Sequence, residues 1–207
     1  MKNFKLNDYT FKEKPLLDFI KRFFDIILSF LAIVAIIVKA TDPKGTVFYF
    51  HNRVGKNGKT IRVIKFRTMV SNANELIASF NERQKAEWET SFKLTNDPRI
   101  TKIGAFLRKT SIDELPQLFN VLDGSLSLIG PRPITYEETL LFGEYRDLLL
   151  KVKPGITGVW AANGRSHKDY KTRTEMELYY VCKRSLWLEI KLLFKTVISV
   201  FKQEGAM

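Results

Sequence analysis

The chain has a single cysteine, Cys182, in 207 residues. That excludes an internal disulfide and any thiolate metal cluster, and it fits a reducing compartment. Histidine is almost as scarce. His51 and His167 are too few for a protein-built zinc site, so a divalent metal here would be Mg2+ held by carboxylate and substrate phosphate. No proline lies between Pro15 and Pro43, and no charge lies between Ile26 and Val38. The charge-free run is 13 residues long, against roughly 20 for a spanning helix. Three readings stay open on the residues alone: a buried core helix, the apolar part of a signal peptide (with "VKATDPKG" a poor cleavage site), or a segment entering one leaflet. Lys21, Arg22 and Lys39 place cations at both ends, as suits a segment entering and leaving on one anionic face. Repeats, low-complexity tracts and linkers are also missing, which points to one folded unit.

Positive charge is what the chain has in excess. Lys and Arg number 34 against 22 Asp and Glu, a net charge of +12, with 16 Phe and 3 Trp beside them. The balance calls for a polyanionic partner: nucleic acid, anionic lipid or a phosphate-rich substrate. Aromatic residues mixed with cations also suit a membrane interface.

The pattern along the chain is α/β, mixed and helix-rich. "TVFYFHNRVGKNGKTIRVIKFRTM" alternates apolar and polar residues about "GKNGK" and predicts a β-hairpin over residues 46–69. Residues 72–92 read as a surface helix. "NDPRITKIGAFLRK" predicts a turn and a short helix, and "LPQLFNVLDG" a helix ended by Gly124. "SLWLEIKLLFKTVISVFK" carries Leu186, Ile190, Leu193, Phe194, Val197 and Phe201 at helical spacing with lysines among them, a helix that packs on a core or lies in an interface. Residues 1–45 are taken as an arm and an apolar helix, and residues 46–207 as the main folded unit.

Chemistry concentrates in "RKTSIDELPQ". Ser111-x-x-Glu114 matches a capping box, but Pro116 would then fall where a helix tolerates it poorly. A helix starting at Asp113 avoids this and places Asp113 at the positive end of the dipole, ionised. Beside Arg108 and Lys109, such a carboxylate is a nucleophile toward phosphorus or an Mg2+ ligand. Plain capping and function both remain open at this point. Arg132 in "GPRP", Lys65 and Arg67 in "KFRT", Arg53 and Arg165 join Arg108 in short apolar-flanked motifs. That distribution favours a diphosphate substrate over nonspecific DNA binding, which gathers cations along a helix or tail.

Taken in order, "FYFHNRVGKNGK", "IKFRTM", "DPRITKIGAFLRKTSIDELPQLFNVLDGSLSLIGPRP" and "VKPGITGVWAANGR" resemble the bacterial sugar transferase family, the monotopic phosphoglycosyl transferases, from about Lys21 to Lys202. The resemblance implies transfer of a sugar-1-phosphate from a UDP-sugar to undecaprenyl phosphate, with Mg2+ and release of UMP. It implies that Asp113 is the nucleophile, that Glu114 is its acidic partner and shares the metal, that Arg108 meets polyprenol phosphate and that Arg132 lies near the nucleotide. It further implies a place on the cytoplasmic face of the bacterial inner membrane, contact with lipid and no nucleic acid, with homo-oligomerisation open. The family's membrane hairpin is longer and bent at a Ser-Pro pair that this chain lacks. His51 stands where glutamine is common, and Glu177 and Glu189 where aspartate is expected. The rival reading is a catalytically silent membrane-bound scaffold of the same fold.

Overall fold

The apolar run belongs to a much longer element. In a computed structural model, which describes residues 15–91, 94, 96–164 and 170–202, helix α1 (Pro15–Thr41) continues unbroken for 27 residues. Counting only charge-free residues understated it, because Asp25 lies one turn from Lys21 and pairs with it at 3.6 Å. Asp18–Thr41, 24 residues, is long and apolar enough to cross a membrane by length and composition; at 1.5 Å per residue it measures about 36 Å. The core-helix reading does not hold for most of it, since Ile33 and Ile36 are 56% and 68% exposed. Only the last turns enter the interior, where Val34 and Val38 pack with Phe66 and Leu107, and Leu31, Val47, Ile103 and Ile112 close around them.

The predicted hairpin is present. Strands β1 (Phe48–Val54) and β2 (Thr60–Phe66) pair antiparallel from Phe48↔Phe66 to Val54↔Thr60. Asn57 and Gly58 turn it with φ of 59° and 76°, a conformation those two residues adopt readily. The surface helix expected over 72–92 is two pieces, a 3-10 turn (Glu75–Ser79) and α2 (Glu82–Ser91). Helix α3 (Lys102–Lys109) is capped by Thr101, whose side chain accepts from the Gly104 N–H at 2.9 Å. Gly104 lets this helix touch the chain leaving β2, since a Cβ there would stand 1.9 Å from the Thr68 carbonyl.

Helix α4 (Gln117–Leu122) ends before Gly124, as the sequence predicts, and Gly124 turns the chain with φ 79° toward β3 (Ser127–Ile129). The glycine-punctuated stretch "KVKPGITGVWAANGRS" contributes β4 (Gly155–Thr157), parallel to β3. Helices α5 (Tyr136–Leu140), α6 (Arg146–Leu149), α7 (Tyr170–Lys183) and α8 (Leu186–Lys202) complete the order. Two small sheets among helices are compatible with the α/β expectation. Helix α8 packs on a core along one face and leaves an apolar face exposed. Leu192 packs with Ile129, Val159, Ala162 and Tyr180, while Leu186, Trp187 and Phe194 face outward. Cys182 is exposed.

Candidate active site

Asp113 and Glu114 do not start an α-helix. They lie in a 3-10 turn (Ile112–Glu114) between α3 and α4, and α4 begins only after Pro116, its N-cap. Ser111 is no cap for this turn: its φ of 57° is left-handed, and its side chain makes no capping hydrogen bond. A serine held there costs on the order of 1–2 kcal/mol, and the reversal it makes presents both acids inward. Both are buried, at 8% and 7% exposure.

Three elements bring cations to this turn. Asn120 of α4 grips the edge of β2, accepting from the Ile64 N–H at 3.0 Å and donating to the Arg62 carbonyl at 3.0 Å. So docked, β2 delivers Lys65, whose Nζ meets Glu114 Oε1 at 2.8 Å. Arg132 reaches the same oxygen at 3.5 Å. Arg108 is fixed by donating from Nε to Thr68 Oγ1 at 2.9 Å, and its charge acts on Asp113. Asp113 itself makes no hydrogen bond or ion pair among the described residues. Burial pushes its carboxyl above the usual aspartate range; Lys65, Arg108 and Arg132 pull it back, and Glu114 adds to the rise. Asp113 does not start an α-helix, so the dipole argument for its ionised form falls away; burial outweighs the three cations and disfavours its charge.

Arg67 and Arg53, expected with the others, have separate partners. Arg67 donates to the Asp42 carboxylate at 2.6 Å and to its carbonyl at 2.9 Å, clamping the turn after α1. Arg53 pairs with Glu138 at 2.7 Å, and the Arg132 charge acts on it. Arg165 lies outside the described residues, as does His167. Sequence reading missed Glu138, Arg173 and Trp160 as participants, and noted Glu177 only as a departure from the aspartate expected there. Glu138 caps α5 through the Thr135 N–H and holds both Arg53 and Arg173. Trp160 lies under two guanidinium groups, Arg132 at 5.6 Å and Arg173 at 4.7 Å. Glu177, 2% exposed, accepts from the Arg132 N–H at 3.1 Å. The sequence signals were slight: Thr135-x-x-Glu138 matches a capping box, and Glu177 stands four residues past Arg173 in "RTEME", which is common on any helix.

The bacterial sugar transferase family model matches residues 13–203. The chain belongs to that family. Among its relatives, this bacterial sugar transferase is 46% identical to an uncharacterized sugar transferase of Haemophilus influenzae over 90% of this chain and 42% of that protein. It is 44% identical to the undecaprenyl-phosphate galactose phosphotransferase of Salmonella typhimurium, again over 91% of this chain and 42% of that protein. It therefore spans about two-fifths of the length of these two relatives. The exopolysaccharide production protein ExoY of Sinorhizobium fredii, 38% identical, is covered over 90% of its length.

Whether Mg2+ suits this bacterial sugar transferase turns on the acids at the site. Among the described residues no three His, Cys, Asp or Glu side chains gather into a metal-holding group. Asp113 and Glu114 offer two adjacent carboxylates, one without a protein partner among the described residues. That donor set fits Mg2+, which takes one or two carboxylates and completes its sphere with phosphate oxygens and water.

Glu177 carries a pH prediction. Burial pushes its carboxyl up to about 7, against the Arg132 N–H and the Arg173 and Arg132 charges, which pull it down. A raised carboxyl keeps its proton in the folded state after the unfolded chain has lost it. Stability is thus full below the unfolded value of 4.5 and is lost as pH rises through about 7. The loss is about 3 kcal/mol. Glu177→Gln is expected to remove this slope, so that its stability relative to wild type rises from pH 5 to pH 8 in thermal melts. An equal difference at both pH values would show that Glu177 does not titrate there.

Proposed function

We propose that this protein transfers a sugar-1-phosphate from a UDP-sugar to undecaprenyl phosphate at the cytoplasmic face of the bacterial inner membrane, an initiating step of glycoconjugate synthesis. The observation that carries the reading is the Asp113 carboxyl, buried and without a hydrogen bond or ion pair among the described residues, under Lys65, Arg108 and Arg132. A carboxylate so placed is available to attack, and its surroundings are built for anionic phosphate. In the first step an Asp113 oxygen attacks the β-phosphorus of the donor. The bridging P–O bond breaks, UMP leaves, and an aspartyl phosphosugar forms. In the second, a phosphate oxygen of undecaprenyl phosphate attacks the same phosphorus, the Asp113 O–P bond breaks, and the carboxylate returns. Two displacements suit a soluble donor and a membrane-bound acceptor, which need not be held together.

Lys65 and Arg132, bridged by Glu114, would face the donor's diphosphate, and Arg132 and Trp160 the nucleotide end. Arg108 would face the acceptor phosphate. Mg2+ held by Asp113 and Glu114 would supply positive charge to offset the diphosphate. Arg53 and Arg67 would act through Glu138 and Asp42, as supports. The outward apolar residues of α1 and α8, with Phe106, Leu118, Phe119 and Leu122 flanking the catalytic turn, support attachment to lipid. The test is UMP release with undecaprenyl phosphate, Mg2+ and a panel of UDP-sugars. Release with one sugar would establish the reaction and name the donor. None with any sugar, from folded protein bound to vesicles, would sink the reading.

A further inference from the structure

The loop that carries Arg132 is held by unusually few main-chain donors. Pro131 and Pro133 have no N–H, so between Gly130 and Pro133 only Gly130 and Arg132 can donate. The Gly130 N–H goes to the Thr157 carbonyl at 2.9 Å, and the Pro131 carbonyl accepts from Gly155 at 2.8 Å. Gly130 sits so tightly here that a Cβ would stand 2.6 Å from the Lys153 carbonyl. The base of the loop is therefore fixed on the strand side. Its far end, at Arg132, leans on α7.

Helix α7 grips this segment at two points three residues apart on one face. The Tyr180 hydroxyl meets the Ile129 carbonyl at 3.1 Å. One turn earlier, Glu177 Oε1 takes the Arg132 N–H at 3.1 Å, while its Oε2 is buried without a hydrogen-bond partner among the described residues. A carboxylate is an expensive choice for one main-chain hydrogen bond in the interior. Its place is informative: three residues along the fold from the loop base, directly beneath the arginine whose guanidinium meets Glu114 at 3.5 Å.

We propose that Glu177 is a positioning residue for Arg132, holding its main chain so that the guanidinium reaches the Glu114 side of the catalytic turn. The groups that face Glu177 are the Arg132 N–H and guanidinium from the loop and Arg173 from its own helix. Burial keeps its carboxyl partly protonated near neutrality, and either form leaves Oε1 able to accept. The inference rests on the reading of Arg132 as a substrate-facing cation.

The test is a double-mutant cycle with Glu177→Leu and Arg132→Ala, read by UMP release and by amide exchange at Arg132. Leucine removes the acceptor while nearly keeping the volume, and thermal melts check that the variant folds. Glu177→Leu is expected to speed exchange of the Arg132 amide and to raise the donor KM by about tenfold, as for a lost buried hydrogen bond, with a smaller change in kcat. In the Arg132→Ala background the same change should add less than about twofold. Glu177→Gln, which keeps an acceptor oxygen, should restore slow exchange and most of the lost KM. Independent, multiplicative losses in the cycle, or Arg132 exchange unchanged in Glu177→Leu, would overturn the proposal. A wild-type chain that releases no UMP would instead overturn the parent reading and the catalytic sense of the clamp, while faster Arg132 exchange would still establish the clamp itself.

Discussion

Asp113→Asn is expected to abolish UMP release while the protein stays folded. Asparagine matches aspartate in size but cannot form the phosphosugar ester, so the loss should be roughly a thousandfold or more. The fold should not suffer, for a specific reason. Asp113 makes no hydrogen bond or ion pair among the described residues, and burial already disfavours its charge, so neutralising it breaks no contact and relieves a desolvation cost. Two measurements check this together: UMP release with and without undecaprenyl phosphate, and the mass of the intact protein after incubation with donor alone. Wild type should gain the mass of a sugar phosphate, and Asp113→Asn should not. Full turnover in the variant would remove Asp113 from the role of nucleophile. Glu114→Gln makes a different case, because it would remove the negative charge that Lys65 and Arg132 share and disturb the cations as well as the acid.

Replacing Ile33, Ile36 and Ile37 by Ser is expected to release the protein from vesicles. All three side chains are exposed on α1, whereas the neighbouring Val34 and Val38 point into the core and are left alone. Each isoleucine withdrawn from lipid forfeits about 1.5–3 kcal/mol, so the set removes on the order of 5–9 kcal/mol of attachment without opening a cavity. Flotation with anionic vesicles reads the result. If the triple variant floats as wild type does, attachment rests on the outward faces of α8 and α4 instead. If it unfolds, α1 is structural along its whole length.

Local features were legible in the sequence. The hairpin followed from alternation around "GKNGK", α8 from its spacing, and the acidic pair from its place between basic residues and a proline. What could not be read were contacts between distant segments. Nothing near Asp42 announces that it will occupy Arg67, and nothing in "YEETL" announces that Glu138 will gather two arginines from β1 and α7. The same holds for Arg99, locked onto Asp97 and lying over Trp88 at 4.4 Å, where the sequence offered only a turn. Ser111 is a different case. Pro116 argues in the sequence against a Ser111 cap, and no side-chain cap forms there, but nothing announces the left-handed turn in its place, which serine adopts only at a cost.

Ile112, the residue before Asp113, packs in the same cluster as Val34 and Val38 of α1. The last turns of α1 and the turn that carries Asp113 thus share one packed cluster. On the proposed reading, the altitude of Asp113 above the lipid is built in, at the level of the last turns of the anchor. An acceptor whose phosphate rides at the headgroup plane then needs no lifting. Its search becomes a walk in two dimensions, and the quantity that governs the second displacement is the number of carriers per unit area of membrane.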